Sequence, residues 1–143
     1  SGNSAAATAL LRLGELTGEE RYTAVAVRVL EQGGELAARL PAGFGELLCA
    51  LDFHLGPRRE VAFAGDPGGA DTRALVRTVS RAFLPNTVLA LRRPEEGDEV
   101  AELIPLLRGR SAPGGRATAY VCERFACRRP VTDPAELAAQ LGL

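Results

Sequence analysis

The hydrophobic pattern of this chain changes its period at Gly56-Pro57, and that change limits what the chain can fold into. Before it, apolar residues recur three and four positions apart, the spacing of helices that bury one stripe. After it, short continuous apolar runs alternate with helical stretches, the pattern of strands covered on both faces. The expectation is an α/β fold in two parts. Residues 1–56 form an N-terminal helical hairpin segment. Residues 57–143 form a βαβαβα subdomain, a small three- to four-stranded, mostly parallel sheet with flanking helices.

Three helices are predicted in the first part. The first is capped by Asn3 or Ser4 and places Ala6, Leu10, Leu13 and Leu16 on one face. Thr17-Gly18-Glu19-Glu20 fits a capping box for the second, which buries Tyr22, Val25, Ala26, Val29 and Leu30 and stops at Gly33-Gly34. The third carries Phe44, Leu47, Leu48, Leu51 and Leu55, and Gly56-Pro57 ends it. Short links between such helices favour antiparallel neighbours.

In the second part, Glu60–Ala64, Thr87–Leu91 and Ala117–Cys122 read as strands. Asp71–Leu84 reads as a helix burying Leu75, Val76, Val79 and Phe83. Asp98–Leu107 reads as another, with Val100, Leu103 and Leu107 inward, shortened or kinked by Pro105. Asp133-Pro134-Ala135-Glu136 opens the last helix, with Asp133 as its cap and Pro134 in the first helical position. Strands alternating with helices predict a parallel sheet with crossover connections.

Composition narrows the chemistry. All 17 basic residues are arginine, so Schiff-base chemistry and a P-loop phosphate site are excluded. A formal net charge of -1 supplies no field for a polyanion, and the arginine pairs lack interleaved aromatics, so no nucleic-acid partner is expected. No apolar run is long enough to span a membrane, there is no signal-peptide pattern, and the cytoplasm is the expected location. Three cysteines, an odd number, do not make a secreted disulfide framework. Neither a cofactor nor a metal is implied.

Four residues are weak site candidates. Cys122 and Cys127 are separated by four residues at a strand end. They read as a redox pair, as half of a metal site, or as small apolar residues with at most a weak disulfide. A zinc site needs four ligands, and no second pair follows. Asp66 and Asp71 lie in Gly65–Thr72, GDPGGADT, which joins the first strand to a helix. Such a loop at a strand's carboxyl end can hold a phosphate, but two aspartates oppose one, and turn and cap chemistry explains the same residues. His54, the sole histidine, sits where it would favour the negative end of a helix, and the acidic run Glu95–Glu99 suits a helix start. No catalytic constellation is evident.

Four blocks carry a resemblance: GNSAAATALLRLGELTGEERY, LDFHLGPRREVAFAGDPGGADTRAL, RAFLPNTVLALRRP and ATAYVCERFACRRPVTDPAEL. In this order they resemble the C-terminal part of the YyaL-like thioredoxin-domain proteins. That family joins a thioredoxin-like domain to an (α/α)6 toroid similar to those of six-hairpin glycosidases and sugar epimerases. The resemblance implies that this chain is a piece of a longer protein, with residues 1–56 ending the toroid. It implies the rest of the parent chain as partner and transfers no catalytic residue. The chain would then be a structural or interaction portion, part of a carbohydrate-active enzyme, or a redox accessory. An uncovered apolar face also predicts a homodimer through residues 1–55.

Overall fold

In the computed structural model, which describes residues 1–123 and 126–143, the chain forms two units, Ser1–Arg58 and Arg59–Leu143. Arg124 and Phe125, inside the ATAYVCERFACRRPVTDP block, lie outside the described residues. The first unit holds three helices, α1 (Gly2–Thr17), α2 (Glu20–Arg39) and α3 (Gly45–Leu55). Each packs on the other two.

The buried face of α1 is Ser4, Ala7, Leu11 and Gly14, not the leucine stripe that periodicity favours. Ala6 and Leu13 face outward, while Leu10 and Leu16 are half-buried. Small residues on the inner stripe let helix backbones approach. A Cβ on Gly14 would lie 2.5 Å from Thr23 Oγ1. The cap of α1 is Ser1, whose side chain accepts from the Ser4 N–H, in place of Asn3 or Ser4. Gly18, at φ 70°, ends α1 in the left-handed conformation that glycine tolerates, so Thr17 closes one helix and does not cap the next.

Gly33 and Gly34 do not stop α2, which continues to Arg39. A Cβ on Gly33 would lie 2.5 Å from Leu47 Cδ2, so this glycine admits α3. α2 buries Ala26, Leu30 and Ala37, and α3 buries Leu47, Ala50 and Phe53. Val25, Leu36, Leu40 and Leu55 stay exposed, Leu55 at 73%.

The second unit runs β1 (Arg59–Ala64), α4 (Ala70–Ser80), β2 (Thr87–Arg92), α5 (Glu99–Leu103), β3 (Thr118–Glu123), β4 (Ala126–Cys127) and α6 (Pro134–Leu141). The sheet order is β2-β1-β3-β4. β1 and β2 are parallel, with Val61 opposite Leu89. β3 runs antiparallel to β1, with Val61 opposite Val121, and β4 antiparallel to β3. The α/β architecture and the strand count are as expected, but the sheet is mixed, with one parallel pair and two antiparallel ones.

The reason lies between β2 and β3. Pro105 follows a helix of only five residues and starts a 3₁₀ turn, Pro105–Leu107. Five helical residues span about 8 Å, whereas a six-residue strand spans about 20 Å. The connection therefore does not recross the sheet, and β3 starts beside Ala64, where β1 ends.

One sheet face carries Val61, Phe63, Ala119 and Val121, packed with Leu75 and Val79 of α4, Val131, and Leu137 and Leu141 of α6. Phe83, expected in this core, lies beyond the end of α4 and is 91% exposed. Leu103, expected inward, is exposed as well, while Leu107 is buried. At α6, Asp133 Oδ1 accepts from the Ala135 and Glu136 N–H groups, the predicted cap.

Candidate functional site

Alternation along β3 places Tyr120 and Cys122 on the sheet face opposite the α4–α6 core. Cys127 of β4 stands directly across from Cys122, and the two sulfurs form a disulfide with a Cα–Cα separation of 4.0 Å. The next residue pair is hydrogen-bonded, Arg128 N–H to Val121 O at 2.9 Å. Cys122–Cys127 is therefore a non-hydrogen-bonded pair, the closer of the two antiparallel arrangements. Cys122 is buried and Cys127 exposed.

Arg110 reaches this bond from the loop after the 3₁₀ turn. Gly109, at φ 68°, gives the backbone the left-handed step that brings Arg110 to the sheet. The guanidinium lies over the Tyr120 ring at 4.7 Å, and Nε donates to Leu106 O at 3.2 Å. Nη2 points at both sulfurs, 3.3 Å from Cys122 Sγ and 3.0 Å from Cys127 Sγ. Tyr120 is itself fixed: its hydroxyl donates to Ser111 O at 2.7 Å and accepts from Ser111 N–H at 3.2 Å. Sequence reasoning found the cysteines and missed Arg110 and Tyr120. Tyr120 lies two positions before Cys122 in a strand, a spacing that puts both on one sheet face, but nothing in the sequence links Arg110 to either.

A cleft of about 340 Å³ opens at the carboxyl ends of β1 and β2, lined by Gly65, Arg92, Arg93, Glu96, Arg110 and Ser111. Two of its cations are already engaged. Arg92 Nη2 pairs with Asp98 at 3.0 Å and donates to Glu96 O, while Arg110 faces the sulfurs. The acidic run thus serves this loop, with Glu96 Oε2 also accepting from the Arg93 N–H at 2.9 Å.

Asp66 and Asp71 are turned onto the backbone. Asp66 Oδ1 accepts from Gly68 N–H at 2.9 Å, and Asp66 O from Gly69 N–H. Asp71 Oδ1 accepts from Thr72 N–H at 2.9 Å, and Oδ2 from Ala117 N–H at 2.8 Å. The cap residue of α4 is Gly69. Asp71 thus ties the start of α4 to the start of β3. The Ala117 N–H, and after it the Thr72 N–H, hold its carboxyl below the usual carboxylate range.

A lowered folded value means that this tie stabilises fully above the unfolded value, about 3.9, and is lost as pH falls through the folded one. We expect the midpoint of urea unfolding to drop on acidification below about pH 4 more steeply in the wild type than in Asp71→Ala. Parallel slopes would exclude a role for this carboxylate in acid stability.

The structure brings together Cys122 and Cys127; within the same unit it does not join them to Asp66 or Asp71. His54 lies in the last turn of α3. Among the described residues, no group of three or more His, Cys, Asp or Glu is placed to hold a metal ion. No helix is long and apolar enough to cross a membrane, among those residues.

By fold and site the chain is a three-helix unit followed by a mixed α/β unit whose last hairpin is closed by an arginine-faced disulfide. It is similar to spermatogenesis-associated protein 20 of Rattus norvegicus, 34% identical over 137 residues, 96% of this chain and 17% of that protein. The Homo sapiens and Mus musculus proteins of the same name are 35% and 33% identical over the same lengths. The chain thus spans about 17% of the length of these curated relatives. No family model and no solved structure matches it.

Proposed function

We propose that this chain is the C-terminal portion of a larger YyaL-like thioredoxin-domain protein and serves it as a structural and interaction piece. The observation that carries this reading is the pairing of coverages: similarity runs through 96% of the chain yet takes up only 17% of each relative. In this reading α1–α3 complete a toroid of helical hairpins, and the α/β unit binds the rest of the parent. The exposed side chains of Val25, Leu36, Leu40 and Leu55 support it, because isolated helices do not gain by presenting leucines to water. Deleting the matching segment from the human relative should leave a protein that aggregates or unfolds early. Inserting this chain in its place should restore a folded one. A deletion variant as stable as the intact protein would remove the proposal.

On its own, the chain should self-associate through these exposed apolar side chains of residues 1–55. Sedimentation velocity should show dimers that the triple variant Leu36→Glu, Leu40→Glu, Leu55→Glu converts to monomers. A wild-type chain that stays monomeric at high concentration would argue against this.

A further inference from the structure

We propose that the Cys122–Cys127 bond is a thiol–disulfide exchange site for a dithiol reductant, with Arg110, whose Nη2 faces both sulfurs, stabilising the thiolate released on Cys122 and then the one released on Cys127. This goes beyond the structural reading above and does not depend on it.

Two observations carry it. The first is how little the bond has to hold. Its cysteines are five positions apart, in strands that already pair in register. A disulfide stabilises chiefly by closing a loop in the unfolded chain, and short loops yield least. The second is Arg110. A neutral disulfide is a weak acceptor, yet a guanidinium fixed by Leu106 O and the Tyr120 ring aims one Nη at both sulfurs. Its value rises once a sulfur carries charge, because a charge-assisted hydrogen bond is roughly twice as strong as a neutral one. Among the described residues, the other charged groups around the pair are Glu60, opposite Cys122 on β1, Glu123, which follows Cys122 on β3, and Arg128, which follows Cys127. Tyr120 adds a hydroxyl already bonded to Ser111.

The exposure difference sets the direction of attack. A thiolate of the dithiol attacks the exposed Cys127 sulfur, forming a mixed disulfide. The Cys122–Cys127 bond breaks, and its electron pair leaves on Cys122 as a thiolate 3.3 Å from Arg110 Nη2. The reductant's second thiolate then attacks its own sulfur in the mixed disulfide and releases Cys127 as a thiolate. The reductant departs as its disulfide, having lost two electrons and two protons; the chain gains the two electrons, and the protons pass through water to whichever thiolates take them up.

The test is equilibration of the native chain with mixtures of reduced and oxidised dithiothreitol, followed by alkylation and mass spectrometry. Cys49, an exposed free cysteine on α3, is the internal reference. We expect reversible opening without denaturant and unchanged circular dichroism. In the reduced chain at neutral pH, Cys127 should be alkylated roughly tenfold faster than Cys49, an advantage lost in Arg110→Gln and retained in Arg110→Lys. Should Arg110→Gln not fold, the wild-type pH profile decides. Alkylation of Cys127 that levels off below about pH 8 supports the site, and a rise continuing through the ordinary thiol value of about 8.5 overturns it. A bond that resists dithiothreitol in the native chain, or equal alkylation rates in wild type and Arg110→Gln, overturns it also.

Discussion

Leu75→Ala is expected to destabilise the Arg59–Leu143 unit by about 2–5 kcal/mol, whereas Phe83→Ala should change it by less than about 0.5 kcal/mol. Leu75 is 1% exposed and sits at the centre of the core between α4 and the sheet. Truncation there removes apolar contacts and leaves a cavity that β1, β3 and α6 cannot all collapse to fill. Phe83 is the larger side chain and the stronger hydrophobic signal, but it lies past Ser80, where α4 ends, and stands in water. Amide hydrogen exchange at Val61 and Val121 reads this unit without assuming that the two units unfold together. Equal losses in both variants would show that the core extends past the end of α4.

The second large effect is expected at Gly65→Val, by overpacking. A Cβ at this position would lie 2.6 Å from Thr72 Oγ1, 3.0 Å from Ala117 Cβ and 3.2 Å from Ala117 Cα. Thr72 Oγ1 can turn aside, but Ala117 Cα cannot without disturbing the Asp71–Ala117 bond. The Gly65 N–H also donates to Arg92 O at 3.1 Å, so the glycine cannot swing away from β2 freely. A loss of about 1–3 kcal/mol is expected from forcing bulk into such a site. Gly34→Ala is the matched control. It lies within α2 with nothing within 4 Å of its Cβ, and should gain about 0.5–1 kcal/mol. Thermal unfolding of both variants checks the pair, and a Gly65→Val protein as stable as the wild type would mean that the loop yields.

What the sequence made legible follows from how local the cause is. The strands around Val61, Val88 and Val121 are continuous apolar runs, and Asp133-Pro134 carries its cap within three residues; all appear as read. Periodicity misplaced the inner face of α1, because helix packing there is set by Ser4, Ala7 and Gly14, whose small size no hydrophobicity pattern rewards. Gly33 was misread for a related reason: one residue type serves both helix ends and close contacts, and Leu47, which decides between them, is 14 positions away. The direction of β3 depended on a broken helix, not on anything in β3. At the site, the cysteines were visible, but their alignment with Arg110 arises from a turn at Gly109 and a sheet pairing, neither written in the residues' spacing.

The position of β2 at one margin of the sheet has a consequence for the behaviour of the chain in concentrated solution. A marginal strand offers its outer backbone as a template for fibrils. Here that template is only six residues long and closes in Arg92-Arg93-Pro94, with Pro85 just ahead of its start. Proline cannot donate to an incoming strand, and the Arg93 guanidinium repels a stacked copy of itself. Such gatekeepers protect the one parallel pair in the sheet from templating amyloid-like growth, and replacing Arg92, Arg93 and Pro94 with apolar residues would lift that protection.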